Sequence, residues 1–244
     1  MRLANNNMKI CDIHTHILPG VDDGAQSLSQ ALQMLENAVA SDVECLILTP
    51  HCNRMNMPSI ANLRQQFQLL RQASAGIPIT LALGAEVHVT DRLPALLQEG
   101  AFLTLNGSRY LLTEFPVNCR QDAFLPVLEQ ILCLGYVPVV AHPERYDAVT
   151  RNPALVIPWL ERGCHIQLTG ASVVGKYGNR IRQTSDYLLK NGLVCCVASD
   201  AHGAVNRSNN LLEVQAYLTY YHSRQHAKSL LWDNPMKLWR NETF

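Results

Sequence analysis

The 244-residue sequence has no excess of either charge, with 20 Lys and Arg against 20 Asp and Glu. A basic stripe for nucleic-acid phosphates or an anionic membrane surface is therefore absent. Long apolar runs are missing too. No stretch approaches the roughly 20 apolar residues that span a bilayer. The polar start, with Asn5, Asn6 and Asn7, lacks the apolar core of a secretion signal, so the cytoplasm is the expected compartment. Eight cysteines occur, but no two form a CxxC pair, which argues against a zinc ribbon. Cys11, Cys45, Cys133, Cys164, Cys195 and Cys196 lie in or beside apolar runs and read as reduced core residues. The nucleotide loops GxxxxGK(S/T) and GxGxxG are absent, as are the GxSxG elbow and the CxxxxxR phosphate loop.

What is present is a β-α alternation. Short apolar runs at 8–13, 44–49, 79–83, 110–114, 137–141, 165–168 and 194–198 read as buried strands. Helical patterns fall between or after them at 28–40, 60–73, 92–98, 123–134, 154–161, 180–190, 210–221 and 235–240. Ser27 is placed to cap the first helix, while Gly135 and Gly192 sit where helices end. Such alternation predicts a parallel sheet with crossover helices. Seven strands with polar residues at several ends predict an α/β fold of distorted, TIM-barrel-like (β/α)7 type rather than an open sheet, whose site would collect at one switch point. No linker or repeat divides the chain. Residues 8–244 are expected to form one domain, and residues 1–7 an N-terminal extension.

The strand ends carry the chemistry. His14 and His16, two apart on a strand, face one side roughly 7 Å apart. Asp200 and His202 repeat that spacing at the last strand. One such pair could be merely polar; two in a β/α chain point to a divalent metal. His51 follows Thr49-Pro50, where proline ends the ladder, and His142 ends the fifth strand. Glu86 and Glu114 close apolar strands, where a carboxylate is costly unless paired with cations. Asp22-Asp23-Gly24 reads equally as a solvated turn or a ligand source. Arg145 and Arg207 suit a bidentate grip on phosphate oxygens, although spacing alone also allows surface arginines. His88 reads as structural, His165 as a strand residue, and His222 and His226 as solvated.

In order, DIHTHILPGVDDG, TPHCN, GAEV, LTEFP, PVVAHPERY and VASDAHG resemble the PHP (polymerase and histidinol phosphatase) superfamily. Within it, the chain is similar to bacterial capsule and exopolysaccharide tyrosine phosphatases of CpsB/YwqE type, from about Met8 to Pro235. The resemblance implies a PHP barrel holding two or three divalent ions, with manganese favoured and iron, cobalt or zinc also compatible. It places His14 and His16 on the first metal, with Glu86 bridging to a second. His51 and Glu114 would serve the second site, Asp23, His142 and His202 would complete the cluster, and Asp200 would return to the first. Arg145 and Arg207 would grip phosphate. Cys52 departs from relatives that carry a histidine or basic residue there.

The resemblance, with these residues, implies a metal-dependent protein-tyrosine phosphatase in which activated hydroxide attacks phosphorus in line. The phenoxide leaving group, with a pKa of about 10, makes modest demand on a general acid such as His202. The resemblance implies a phosphotyrosine protein as substrate, the tail of a polysaccharide-synthesis tyrosine autokinase, with no nucleic-acid partner and no insertion into membrane. The alternatives are histidinol phosphate or another small phosphomonoester as substrate, and a metal-bound scaffold that binds the kinase tail without catalysis. A PHP exonuclease would need positive charge that this neutral chain lacks, and an amidohydrolase would not need the arginines.

Overall fold

The computed structural model describes residues 8–53 and 57–244, so the expected extension at 1–7 lies outside the described residues. Among the described residues, nine parallel strands alternate with helices. They are β1 (Ile10–Thr15), β2 (Val43–Leu48), β3 (His51–Cys52), β4 (Thr80–Leu83), β5 (Glu86–His88), β6 (Tyr110–Glu114), β7 (Val137–Ala141), β8 (His165–Thr169) and β9 (Cys196–Ala198). Seven strands were expected, and the nine occupy seven positions. β2 stops at Thr49-Pro50 and β3 continues it; β4 stops at Gly84-Ala85 and β5 continues it. The register carries across both gaps, with Leu48 opposite Leu83 and His51 opposite Glu86. Pro50 cannot donate to a ladder, which accounts for the first interruption.

The strands fall into a three-stranded sheet, β1-β2-β4, and a six-stranded sheet, β3-β5-β6-β7-β8-β9. The last strand returns to the first. Asp200 N–H donates to His14 O at 2.9 Å, His16 N–H donates to Ala201 O at 2.9 Å, and Thr15 bridges Ala201 in parallel. Alternate strand residues build an inner core, including Ile13, Ile47, Leu112, Val139, Cys196 and Ala198. A larger outer core joins the strands to helices through Leu35, Leu128 and Leu188, among others. In β1 the pairing register shifts between Asp12 and Thr15. A shift of this kind re-aims side chains. It lets Ile13 join the inner core while its neighbour His14 reaches the site.

Helices Leu28–Ala40 and Ile60–Ala73 span their expected ranges, capped by Ser27 and Ser59 through Gln30 and Asn62 N–H at 3.2 Å each. The helix expected at 154–161 is instead a 3-10 turn, Pro153–Val156, followed by Ile157–Glu161. Pro158 has no N–H for the Ala154 carbonyl, which removes an i→i−4 bond and disfavours one continuous α-helix. Short helices at Gly170–Val173 and Arg224–Lys228 were not anticipated. All eight cysteines are free thiols, but Cys133 is exposed rather than core. Among the described residues, no helix is long and apolar enough to cross a membrane.

Candidate metal centre

Every candidate ligand converges at the carboxyl ends of the strands, which is where an α/β barrel collects its chemistry. The Nε2 atoms of His14 and His16 are 3.2 Å apart. Glu86 lies between four imidazoles: Oε1 is 3.2 Å from His14 Nε2 and 3.0 Å from His142 Nε2, while Oε2 is 2.7 Å from His51 Nδ1 and 3.4 Å from His16 Nε2. Asp200 Oδ1 is 3.6 Å from His14 and 3.5 Å from His16. The ligand atoms group as His14, His16 and Glu86; as His51, Glu86 and Glu114; and as His16, Asp23, His51 and His202, each set within 4.8 Å. His142 and Asp200 adjoin these groups, His142 reaching to within 3.7 Å of Glu114 Oε1. Asp23 stands at the rim, its side chain 66% exposed, with Oδ1 3.4 Å from His202 Nε2 and 3.5 Å from His51 Nε2.

The outer partners test whether this donor set fits a cation. His14 Nδ1 donates to Gln167 Oε1 at 2.9 Å, and His16 Nδ1 donates to the Asp22 carboxylate at 2.8 Å. An amide or carboxylate oxygen can only accept, so each ring carries its hydrogen on Nδ1 and presents a lone pair at Nε2. Two lone pairs then face one another and two carboxylates inside a fully buried space. Such an arrangement is repulsive without positive charge, supplied by protons or by metal ions. With protons alone, burial opposes charging of His16. Hydrogen bonds to Asp200 and Asp22, and the field of Glu86, outweigh it and raise its pKa to about 10. Burial would also raise the pKa of Glu86 and of Asp200, but the neighbouring imidazoles hold both well below the usual carboxylate range. His202 is pushed the other way, to about 3, by burial and then by the charge on His16. The donor set fits divalent metal ions.

Both candidate arginines reach this cluster. Arg145 Nη1 and Arg207 Nη2 each donate to Asp200 Oδ2 at 3.0 Å, leaving other N–H groups free to meet a phosphoryl oxygen. Among the described residues, six non-glycine residues adopt positive φ, and three of them are His142, Asp200 and Arg207, at 35°, 53° and 49°. Strained backbone of this kind collects at sites whose geometry the surrounding fold over-determines. Beside the candidate ligands opens a cleft of about 1100 Å³, walled by Asp22, His51, His88, Val89, Glu114 and Pro116.

Three contributors escaped the sequence reading. Asp22, which read as an equivocal turn residue, is nearly buried and accepts from His16, from His51 N–H at 2.9 Å and from Gly24 N–H at 3.0 Å. Those partners outweigh burial and hold its carboxyl at about 2. Gly24 is required there: a Cβ would lie 1.9 Å from the His16 carbonyl oxygen. Gln167, buried on β8, carried the signal of a polar residue between Ile166 and Leu168. His88 Nδ1 lies 3.1 Å from Glu114 Oε2 and its side chain lines the cleft, so it shares the edge of the pocket instead of serving a merely structural role. Cys52 is buried beside Asp22 and Glu86, and burial pushes its thiol up to about 12, so it stays protonated.

Fold and site together define an α/β barrel with a candidate multinuclear metal centre at the carboxyl ends of its strands. The chain belongs to the family described as Capsular polysaccharide synthesis, CpsB/CapC, whose sequence pattern matches residues 10–240. It is 33% identical over 199 residues to the putative tyrosine-protein phosphatase CapC of Staphylococcus aureus, covering 80% of this chain and 78% of that protein. Over 235 residues it is 31% identical to the tyrosine-protein phosphatase YwqE of Bacillus subtilis (strain 168), covering 95% and 92%. Crystal structures of YwqE from Bacillus subtilis and CpsB from Streptococcus pneumoniae, described as unique metal-dependent tyrosine phosphatases, include a chain matching this fold with a TM-score of 0.89. That match has 30% identity and covers 96% of both chains.

Proposed function

We propose that this protein is a metal-dependent protein-tyrosine phosphatase. The observation that carries the reading is the pairing of converging Nε2 lone pairs on His14 and His16 with two arginines anchored on Asp200. His14, His16, Glu86 and Asp200 would hold one ion; Glu86, Glu114 and His142 a second; Asp23, His51 and His202 a third. Manganese suits this imidazole and carboxylate mixture, as do iron, cobalt and zinc. When bound, the ions would make a water-derived nucleophile available near neutral pH and neutralise phosphoryl charge. Arg145 and Arg207 orient the phosphoryl group, and their anchorage fixes that orientation before substrate arrives. A phenolate leaves without strong acid assistance, which fits a site whose His202 imidazole is held neutral by burial and by His16.

The substrate proposed is a phosphotyrosine protein in the cytoplasm, the tail of a tyrosine autokinase of polysaccharide synthesis. Support for a phosphotyrosine protein comes from the names of the relatives, and the cleft of about 1100 Å³ offers room for residues flanking the phosphotyrosine. The test is turnover of a phosphotyrosine peptide by the full chain with Mn²⁺, before and after chelation. Release of phosphate that stops on chelation is expected. Faster hydrolysis of histidinol phosphate would move the substrate class, and no release from any aryl phosphate would leave a tail-binding scaffold.

A further inference from the structure

The two histidines of the DIHTH run have unequal backing. His16 leans on the charged carboxylate of Asp22, while His14 leans on the neutral amide of Gln167. A carboxylate behind an imidazole raises its strength as a donor more than an amide does. We infer that Gln167 is a positioning residue that holds His14 in one tautomer as the weaker, neutral arm of the metal pair, with Asp22 making His16 the stronger arm. The inference rests on the proposed metal-dependent reading and concerns how that metal is tuned.

Three observations favour a tuned contact over a structural one. Gln167 is fully buried in the middle of β8, with Ile166 and Leu168 buried on either side. The strand itself is already secured without the side chain: the Gln167 carbonyl accepts from His142 N–H at 2.8 Å, and its register partners are Ala141 and Cys196. Among the described residues, the amide nitrogen of Gln167 has no hydrogen-bond partner. A buried, half-satisfied amide is costly to a fold, and an apolar side chain of similar length would be cheaper. What the amide supplies instead is an acceptor aimed at His14 Nδ1. Charge explains why it is not a glutamate. Asp22, Asp23, Glu86, Glu114 and Asp200 already surround the cluster, and a sixth carboxylate would bind the ions more tightly and make them poorer electrophiles.

The test uses the full chain and its Gln167→Glu and Gln167→Met variants, with Mn²⁺ titrated by calorimetry and the visible spectrum of bound Co²⁺ recorded. Gln167→Met should weaken Mn²⁺ binding by about 10–100-fold, and Gln167→Glu should tighten it by about tenfold. Gln167→Glu should also lower kcat on a phosphotyrosine peptide with little change in KM and shift the Co²⁺ bands. In Zn²⁺-loaded wild type, ¹⁵N imidazole spectra should show the His14 hydrogen on Nδ1. Unchanged Mn²⁺ affinity in both variants overturns the inference, and so does a His14 hydrogen on Nε2. If Gln167→Met fails to fold, Gln167→Glu and the tautomer measurement still decide. Failure of wild type to bind Mn²⁺ would sink the functional reading itself; a wild type that binds and turns over, with variants that match it, would sink only the role of Gln167.

Discussion

His16 and His165 are imidazoles withdrawn from water at opposite ends of one barrel. His165 begins β8 at the amino end, its ring 4.3 Å from that of Phe244 and 5.7 Å from that of Tyr110. Burial lowers its pKa to about 4. Burial acts on His16 in the same direction, but Asp200, Asp22 and Glu86 reverse it to about 10. Desolvation alone makes histidine an apolar packing residue, whereas desolvation among carboxylates makes a place that demands positive charge. The amino end is closed accordingly by packing and by hydrogen bonds to uncharged acceptors. Asn241 Oδ1 accepts from Arg109 N–H at 2.9 Å and from its Nε–H at 3.0 Å, and Tyr110 donates to the Glu242 carbonyl.

If the carboxyl end is built for cations, removing its bridging carboxylate should have the largest effect of any single change. Glu86→Gln is expected to lower turnover of a phosphotyrosine peptide by on the order of a thousandfold. Far-ultraviolet circular dichroism should stay that of the wild type. Turnover within tenfold of wild type would break the contrast between the ends. Chelation should act on the same end: with Mn²⁺ at about a thousand times its Kd, bound metal contributes about 4 kcal/mol of stability. Adding a chelator should therefore lower Tm as well as abolish turnover, and Mn²⁺ should restore both.

The arginines come next. Arg145→Ala and Arg207→Ala should each cost about 10²-fold in kcat/KM. Because both guanidinium groups share Asp200 Oδ2, the double variant should lose less than the product of the two. A strictly multiplicative loss would show that Asp200 does not couple them. At the amino end, Asn241→Ala should cost about 1 kcal/mol of stability, read from urea denaturation, and leave kcat/KM unchanged.

The legibility of the two ends differed for a physical reason. Strand positions were readable because β1, β6, β7 and β8 are covered on both faces and so appear as short, mostly apolar runs. Polar residues at their ends stood out against that background, which is how His14, Glu114 and His142 were found. Asp22 and Asp23 are chemically identical neighbours, and only the fold of the Gly20–Ala25 loop back onto His16 turns one inward and leaves the other at the rim. Gly24 enables that close approach, but close approach leaves no periodic trace in a sequence. β3 and β5, at two and three residues, are too short for any alternation to show.

The smallest effect expected is also the cleanest probe of the amino end. The folded protein holds His165 near 4, against an ordinary value of 6.5, so between those values the unfolded chain binds a proton that the folded protein refuses. Stability contributed by a neutral His165 is therefore complete above pH 6.5, is lost progressively as pH falls toward 4, and is fully lost below that. Asp12, raised to about 6 by burial, and His202, lowered to about 3, also change stability across this window, so wild type must be compared with His165→Phe under chelation at each pH. Phenylalanine retains contact with Tyr110 and Phe244 but has no proton to take up. The Tm of His165→Phe should fall less steeply than that of wild type between pH 6.5 and pH 4, so that the gap in its favour widens with acid. Parallel curves would mean that His165 is not withdrawn from water, and that the two ends of the barrel treat their imidazoles alike.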